Sequence, residues 1–108
     1  MNLPPTLEAA LAEARKKLEA LYGERLLHVV LYGSQARGDA SEESDVDVLI
    51  VLDGPFHLYK ETKRLAALEV KLMARYGYFF QLMPFQEATY RDSHHALMRS
   101  VQKEGVEL

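Results

Sequence analysis

Two aspartates stand one residue apart at the head of an otherwise apolar run, Asp45-Val46-Asp47-Val48-Leu49-Ile50-Val51-Leu52, and this feature restricts the fold most. A run so rich in β-branched residues reads as a strand over Val46 to Leu52. Side chains alternate along a strand, so Asp45 and Asp47 share one face while Val46, Val48 and Ile50 take the other. The Cα atoms of the two acids should lie roughly 7 Å apart, from a rise of about 3.3 Å per residue. Unpaired carboxylates are costly where water is restricted. Either the strand begins at the surface with both acids solvated, or the acids face something cationic. Two carboxylates so spaced can share one or two hard cations. Magnesium is such an ion: it takes a few carboxylate oxygens and completes its octahedron with phosphate oxygens and waters.

For an isolated Asp-x-Asp the solvated reading wins, but the preceding segment changes the balance. Leu26 to Tyr32 is a second apolar, β-forming run and reads as a buried strand. Gly33 ends it and, having no Cβ, lets backbone approach a ligand closely. Ser34 supplies a hydroxyl and an N–H where a helical turn would begin, a natural seat for phosphate oxygens. Ser34–Ser44 is polar, carries Gly38, and reads as a turn with one helical turn inside. Arg37 in that turn can touch a triphosphate or pair with a nearby acid and brace the loop. The bracing role is favoured, with Arg37 kept among the phosphate-binding candidates beside Gly33 and Ser34.

The remaining elements follow from periodicity and punctuation. Pro4 and Pro5 precede Thr6, a good N-cap, and Leu7, Leu11, Ala14, Leu18 and Leu21 form one apolar helical stripe that Gly23 can end in the left-handed region. Asp53-Gly54-Pro55 stops the Val46–Leu52 strand. A long helix is expected from Leu58 to Tyr76, with Leu65, Leu68 and Leu72 inward, Lys60, Lys63, Lys71 and Arg75 on the wetter side, and Gly77 as its cap. Tyr78 to Met83 reads as a third strand ended by Pro84. A last helix is expected from Ser93, carrying Leu97 and Val101 inward and closed by Gly105, with Val106–Leu108 as an edge strand. The order predicts an α+β fold of mixed type: a small three- or four-stranded sheet covered by helices. At 108 residues, the span 1–108 fits a single domain.

Strand, Gly-Ser, ten residues, Asp-x-Asp, strand is far more specific than any of its parts. The segment Gly33-Ser34 through Asp45-Val46-Asp47 resembles the signature of the polymerase-beta-like nucleotidyltransferase superfamily. Ala36-Arg37-Gly38 and Ser44 match the longer form found in minimal nucleotidyltransferases. The resemblance implies a mixed sheet, Mg²⁺ held by Asp45 and Asp47 as the catalytic acids, a nucleoside triphosphate (commonly ATP), and transfer of a nucleoside monophosphate to a hydroxyl. Many such proteins are antitoxins that adenylylate a tyrosine of a HEPN-domain toxin, which implies a partner of that kind. The family places a third carboxylate on the next strand, where this sequence has Gln81, an amide that cannot act as a base near neutral pH.

Composition bounds the alternatives. Lys+Arg number 13 and Asp+Glu 16, a net charge of −3 that speaks against nucleic acid as the main partner. Cysteine is absent, which excludes disulfides, thiolate metal sites and cysteine nucleophiles. No apolar run reaches membrane-spanning length, and no signal pattern opens the chain, so a cytoplasmic protein is expected. His28, His57, His94 and His95 lack metal-ligand spacing. Tyr76, Tyr78, Phe79, Phe80 and Phe85 read as core and interface rather than a base-stacking platform. The chain is too small for a separate acceptor-recognition domain, so acceptor choice falls to a partner or to a homo-oligomer. The leading reading is a Mg²⁺-dependent nucleotidyltransferase. Gln81 raises an alternative, a nucleotide- or toxin-binding module without turnover.

Overall fold

The computed structural model describes residues 3–41 and 43–108, so Glu42, inside the polar turn, lies outside the described residues. The elements run α1 (Pro5–Tyr22), a 3-10 turn (Gly23–Arg25), β1 (Leu26–Tyr32), α2 (Ser34–Arg37), β2 (Val46–Leu52), α3 (Leu58–Tyr76), β3 (Phe80–Gln86), α4 (Glu87–Tyr90), α5 (Ala96–Glu104) and β4 (Val106–Glu107). They form a mixed α+β fold around one four-stranded sheet in the order β3-β2-β1-β4. β1 runs antiparallel to both β2 and β4, whereas β2 and β3 are parallel. A parallel pair needs a long crossover, and α3 is that crossover.

β2 is the central strand in both senses, paired on each side and packed on each face. Val46, Val48, Ile50 and Leu52 meet Leu7, Leu11 and Leu18 of α1 and Leu65 and Leu72 of α3 in the larger core. Each such fully buried aliphatic side chain contributes roughly 1.5–3 kcal/mol. Leu49 faces the other way and packs with Val30 of β1 and with Met98 and Val101 of α5. The sheet is thus a middle layer, with α1 and α3 on one side and the shorter α4 and α5 on the other.

β1, β2 and α3 take the bounds their patterns predict, and Gly77 caps α3 in the left-handed region. Other boundaries differ. The N-cap of α1 is Pro4, Pro5 is its first residue and Thr6 lies inside the helix, with no side-chain capping bond. Proline's fixed φ and missing N–H suit that first position. Leu21 is largely exposed, and Tyr22 and Ala10 complete the buried stripe instead. Gly23 has a positive φ of 56° but ψ of −130°, outside the left-handed helical region, because the chain turns directly into the 3-10 segment. α4 has no counterpart in the sequence pattern. α5 begins at Ala96 rather than Ser93, with the His95 ring as N-cap, and Met98 takes the buried place expected of Leu97. Gly105 follows α5 at φ −70°, so its role is steric: a Cβ there would meet Val101 O at 2.5 Å and Val30 Cγ1 at 2.7 Å.

The largest departure is β3, which spans Phe80–Gln86 and continues through Pro84. The reason lies in which way its backbone groups point. Val46 N–H donates to Phe79 O, and the outward Leu82 N–H donates instead to Glu69 Oε2 of α3 at 2.8 Å. Odd residues of β3 therefore face β2 and even residues face away. Pro84 is even, so its missing N–H removes nothing from the ladder, as edge prolines allow. Glu69 and Pro84 together leave this edge few free donors, a protection against pairing with other chains. Glu69→Ala is expected to cost about 1.5–3 kcal/mol, the worth of a hydrogen bond to a charged group. Glu69→Gln should retain most of it. Urea unfolding monitored by circular dichroism measures both.

Candidate functional site

The site lies where β1, β2 and β3 present one row of side chains. Asp47 on β2 is in register with Tyr32 on β1 and with Gln81 on β3. Asp45 immediately precedes β2, and its Oδ2 accepts a 3.5 Å hydrogen bond from Gln81 Nε2. The two aspartates and the glutamine thus share a face, as strand alternation requires. Asp47 is half-buried, whereas Asp45 and Gln81 are exposed.

Gly33 closes the site from the β1 side. Its φ is 81° and ψ −154°, a backbone state that residues with a Cβ rarely adopt. A Cβ at Gly33 would sit 2.6 Å from Asp47 Oδ2. Glycine is therefore needed here on two counts, strain and space, and the second ties the turn directly to the acid. Ser34, half-buried, follows Gly33 and opens the single turn of α2, in which Gln35 is buried.

The electrostatics follow from crowding. Partial burial, and then the neighbouring Asp45 carboxylate, raise the pKa of Asp47 above the ordinary aspartate value, with Arg37 opposing. Arg37 ends α2. Its guanidinium pairs with Asp39 at 3.2 Å and reaches Glu104 of α5 at 3.5 Å. It thus braces the turn while remaining close enough to act on Asp47's charge. Asp39, Glu104 and Tyr32 are site neighbours that sequence reading missed. Tyr32 is recoverable once β1 and β2 are taken as an antiparallel pair. Glu104 is not, because α5 reaches the turn only through the tertiary fold.

Among the described residues no group of three or more His, Asp or Glu side chains is placed to hold a metal ion. The donor set of the site is two carboxylates. Their mutual repulsion and the cradle that a Cβ at Gly33 would fill suit a hard divalent cation, with phosphate oxygens and water as its other ligands. Three of the four histidines serve elsewhere. His57 and His95 cap α3 and α5, accepting from Lys60 N and Met98 N. His28 bonds Glu107 of β4 at 2.7 Å and lies over Tyr90, ring centroids 5.0 Å apart. Phe80 is core, and Phe79 is largely exposed.

Known proteins resemble this chain in sequence and in fold. The model of the nucleotidyltransferase domain family matches residues 11–98. A candidate protein adenylyltransferase of Methanocaldococcus jannaschii is 33% identical over 99 residues, which cover 91% of this chain and 93% of that protein. A second from the same organism is 35% identical over 71 residues, 66% of this chain and 67% of that protein. Among solved structures, a candidate nucleotidyltransferase from Sulfolobus solfataricus superposes with a TM-score of 0.56 at 18% identity, over 98% of this chain and 87% of that one. A mutant form of the toxin–antitoxin pair MntA–HpeT gives a TM-score of 0.60 at 20% identity, over 90% of this chain and 70% of that one. A toxin–antitoxin structure with AMP-PNP gives 0.62 at 19% identity, over 88% and 69%. The structural likenesses speak for the fold alone; the family match, which spans most of the chain, and the relative aligned along nearly its whole length establish that this chain belongs to the nucleotidyltransferase family.

Proposed function

We propose that residues 1–108 act as one nucleotidyltransferase domain that moves AMP from ATP, with Mg²⁺, to a hydroxyl of another protein, a tyrosine of a HEPN-type toxin partner, in the cytoplasm. The observation that carries this reading is the contact between turn and acids, with Gly33 so close to Asp47 that no side chain fits between them. In this reading the triphosphate lies across Gly33-Ser34, and the Ser34 hydroxyl and the free N–H groups of that turn receive its oxygens. Asp45 and Asp47 hold the cation, which when bound neutralises phosphate charge and supplies Lewis acidity. Gln81 orients Asp45, and Arg37 flanks the phosphates from its position against Asp39 and Glu104. The protein's contribution is positioning and preorganised charge. The protein-acceptor part is supported by relatives named as protein adenylyltransferases, and the toxin part by neighbours that are toxin–antitoxin structures, one with AMP-PNP. Acceptor choice belongs to the partner, or to a second copy in a homo-oligomer.

A second reading, a nucleotide- or toxin-binding module without turnover, is favoured by Gln81 alone. One experiment separates the two. Purified protein is incubated with labelled ATP and Mg²⁺, with and without a HEPN-type partner, and label is sought on protein. Metal-dependent label on the partner supports the enzyme. Mg²⁺-dependent ATP binding with no label on any protein supports the module.

Three outcomes are expected of variants. Asp45→Asn and Asp47→Asn should each lower transfer by roughly a thousandfold, since metal charge stabilisation is worth several kcal/mol and about 1.4 kcal/mol is tenfold. The label assay reads this directly, and full activity in the double variant would sink the mechanism. Asp47→Asn should also raise the thermal midpoint at neutral pH. A raised folded-state pKa means that the folded chain keeps the proton where the unfolded chain releases it. Stability then falls as pH rises through that raised value, and removing the charge restores it. Scanning calorimetry across the acid range should show the variant losing this pH dependence. Gly33→Ala should displace the Asp47 carboxylate and abolish Mg²⁺-dependent ATP binding, with little change in the far-ultraviolet circular dichroism spectrum.

A further inference from the structure

The reading of Asp45 and Asp47 as cation-holding residues leaves open how many ions the site takes. We infer that Gln81 makes this a single-cation site: its amide sits in register with Asp47 and against Asp45, and occupies the place where a second divalent ion would need an anionic ligand. The inference rests on the reading above and narrows it.

Three observations carry it. First, the position is fixed by backbone pairing rather than by a flexible side chain. Asp47 and Gln81 are directly opposite across the parallel β2–β3 ladder, so residue 81 cannot leave the site without a change of register. Second, Gln81 presents an N–H to Asp45, 3.5 Å from Oδ2. Donation by a neutral amide takes up a carboxylate lone pair and turns the amide's positive end toward the acid. A second cation there would meet a neutral amide instead of an anionic ligand. Third, among the described residues no further Asp, Glu or His joins Asp45 and Asp47 to make a three-ligand group. Among the described residues the protein brings two carboxylates to this face, and residue 81 adds no charge to them. Gln81 is therefore a positioning residue: it holds Asp45 at the geometry needed for one ion.

Equilibrium dialysis with Mn²⁺ and AMP-PNP tests this without turnover. Metal and nucleotide on the protein side, in excess over the buffer side, are counted per chain. The native protein is expected to hold one Mn²⁺ per bound AMP-PNP, and Gln81→Glu two. Gln81→Leu should keep one, bound about 10–100-fold more weakly, as loss of a group that orients a metal ligand does. Two Mn²⁺ per nucleotide in the native protein overturns the inference while leaving the nucleotidyltransferase reading intact. A single Mn²⁺ in a folded Gln81→Glu protein also overturns it, because residue 81 would then not set the count. If the double variant Asp45→Asn, Asp47→Asn is folded and binds metal and nucleotide as the native protein does, the assignment of the acids fails, and the inference with it.

Discussion

The constraint on which the rest depends is that β2 must be buried on both faces and still carry charge at its start. Its residues from Val48 to Leu52 are buried, with hydrogen-bonded neighbours on either side. That arrangement fixes register strongly, since a slip of one residue would move Val46, Val48 and Ile50 out of the larger core and carry Asp47 into it. The carboxylate is thus held in place by the apolar residues around it. The cost appears in Asp47 itself, whose charged form is disfavoured by burial and by Asp45. Such a cost is tolerable when a bound cation later removes it, and active sites commonly hold residues that the fold alone would not choose.

Much of this was legible because the strongest sequence signals are local and fall on the site itself. β-Branched runs gave β1 and β2, a clean helical stripe gave α3, and strand alternation put Asp45 and Asp47 on one face. Gln81 stands out because it is the one non-aromatic polar residue in its run, and the sheet sets it in register with Asp47. The failures share a different cause. Pro84 reads locally as a stop, and only the sheet order reveals that its absent N–H points away from β2. Whether a strand lies at an edge is a property of the whole sheet. The same holds for Arg37, whose partner Glu104 lies 67 residues further along the chain. Thr6 failed for a local reason, since Pro5 already supplies what a first helical residue needs.

The histidines show how ordinary roles can look like functional ones. Adjacent His94 and His95 invite a metal reading, yet the His95 ring accepts from Met98 N as a helix cap. His57 does the same for α3, accepting from Lys60 N. Imidazole is an uncommon cap beside Ser, Thr, Asp and Asn, so a propensity-based reading passes over it. His28 joins β1 to β4 through Glu107, whose other oxygen accepts from Val29 N. This side chain extends the brief β4 pairing along β1, much as Glu69 covers β3 at the opposite edge.

Where the site falls is decided by how far the second layer reaches. On the face opposite α1 and α3 the strands present three successive rows: Phe85, Val51 and His28; Met83, Leu49 and Val30; Gln81, Asp47 and Tyr32. Met98 and Val101 of α5 pack on the middle row, with Tyr90 of α4 and Phe85 beside them. α5 has nine residues, about 14 Å at 1.5 Å per residue, and does not blanket the sheet. The last row carries the polar residues, and Gln81 in it and Asp45 just before β2 remain exposed. Had these positions been apolar, they would have formed an uncovered hydrophobic strip; being polar, they need no cover and stay open to a ligand. Gly33 gives that opening a rigid wall, because the turn after β1 folds back against Asp47 with no room for a side chain. On this face the fold thus builds its smaller core on the first two rows and the candidate site on the third, with one continuous strand holding both in register.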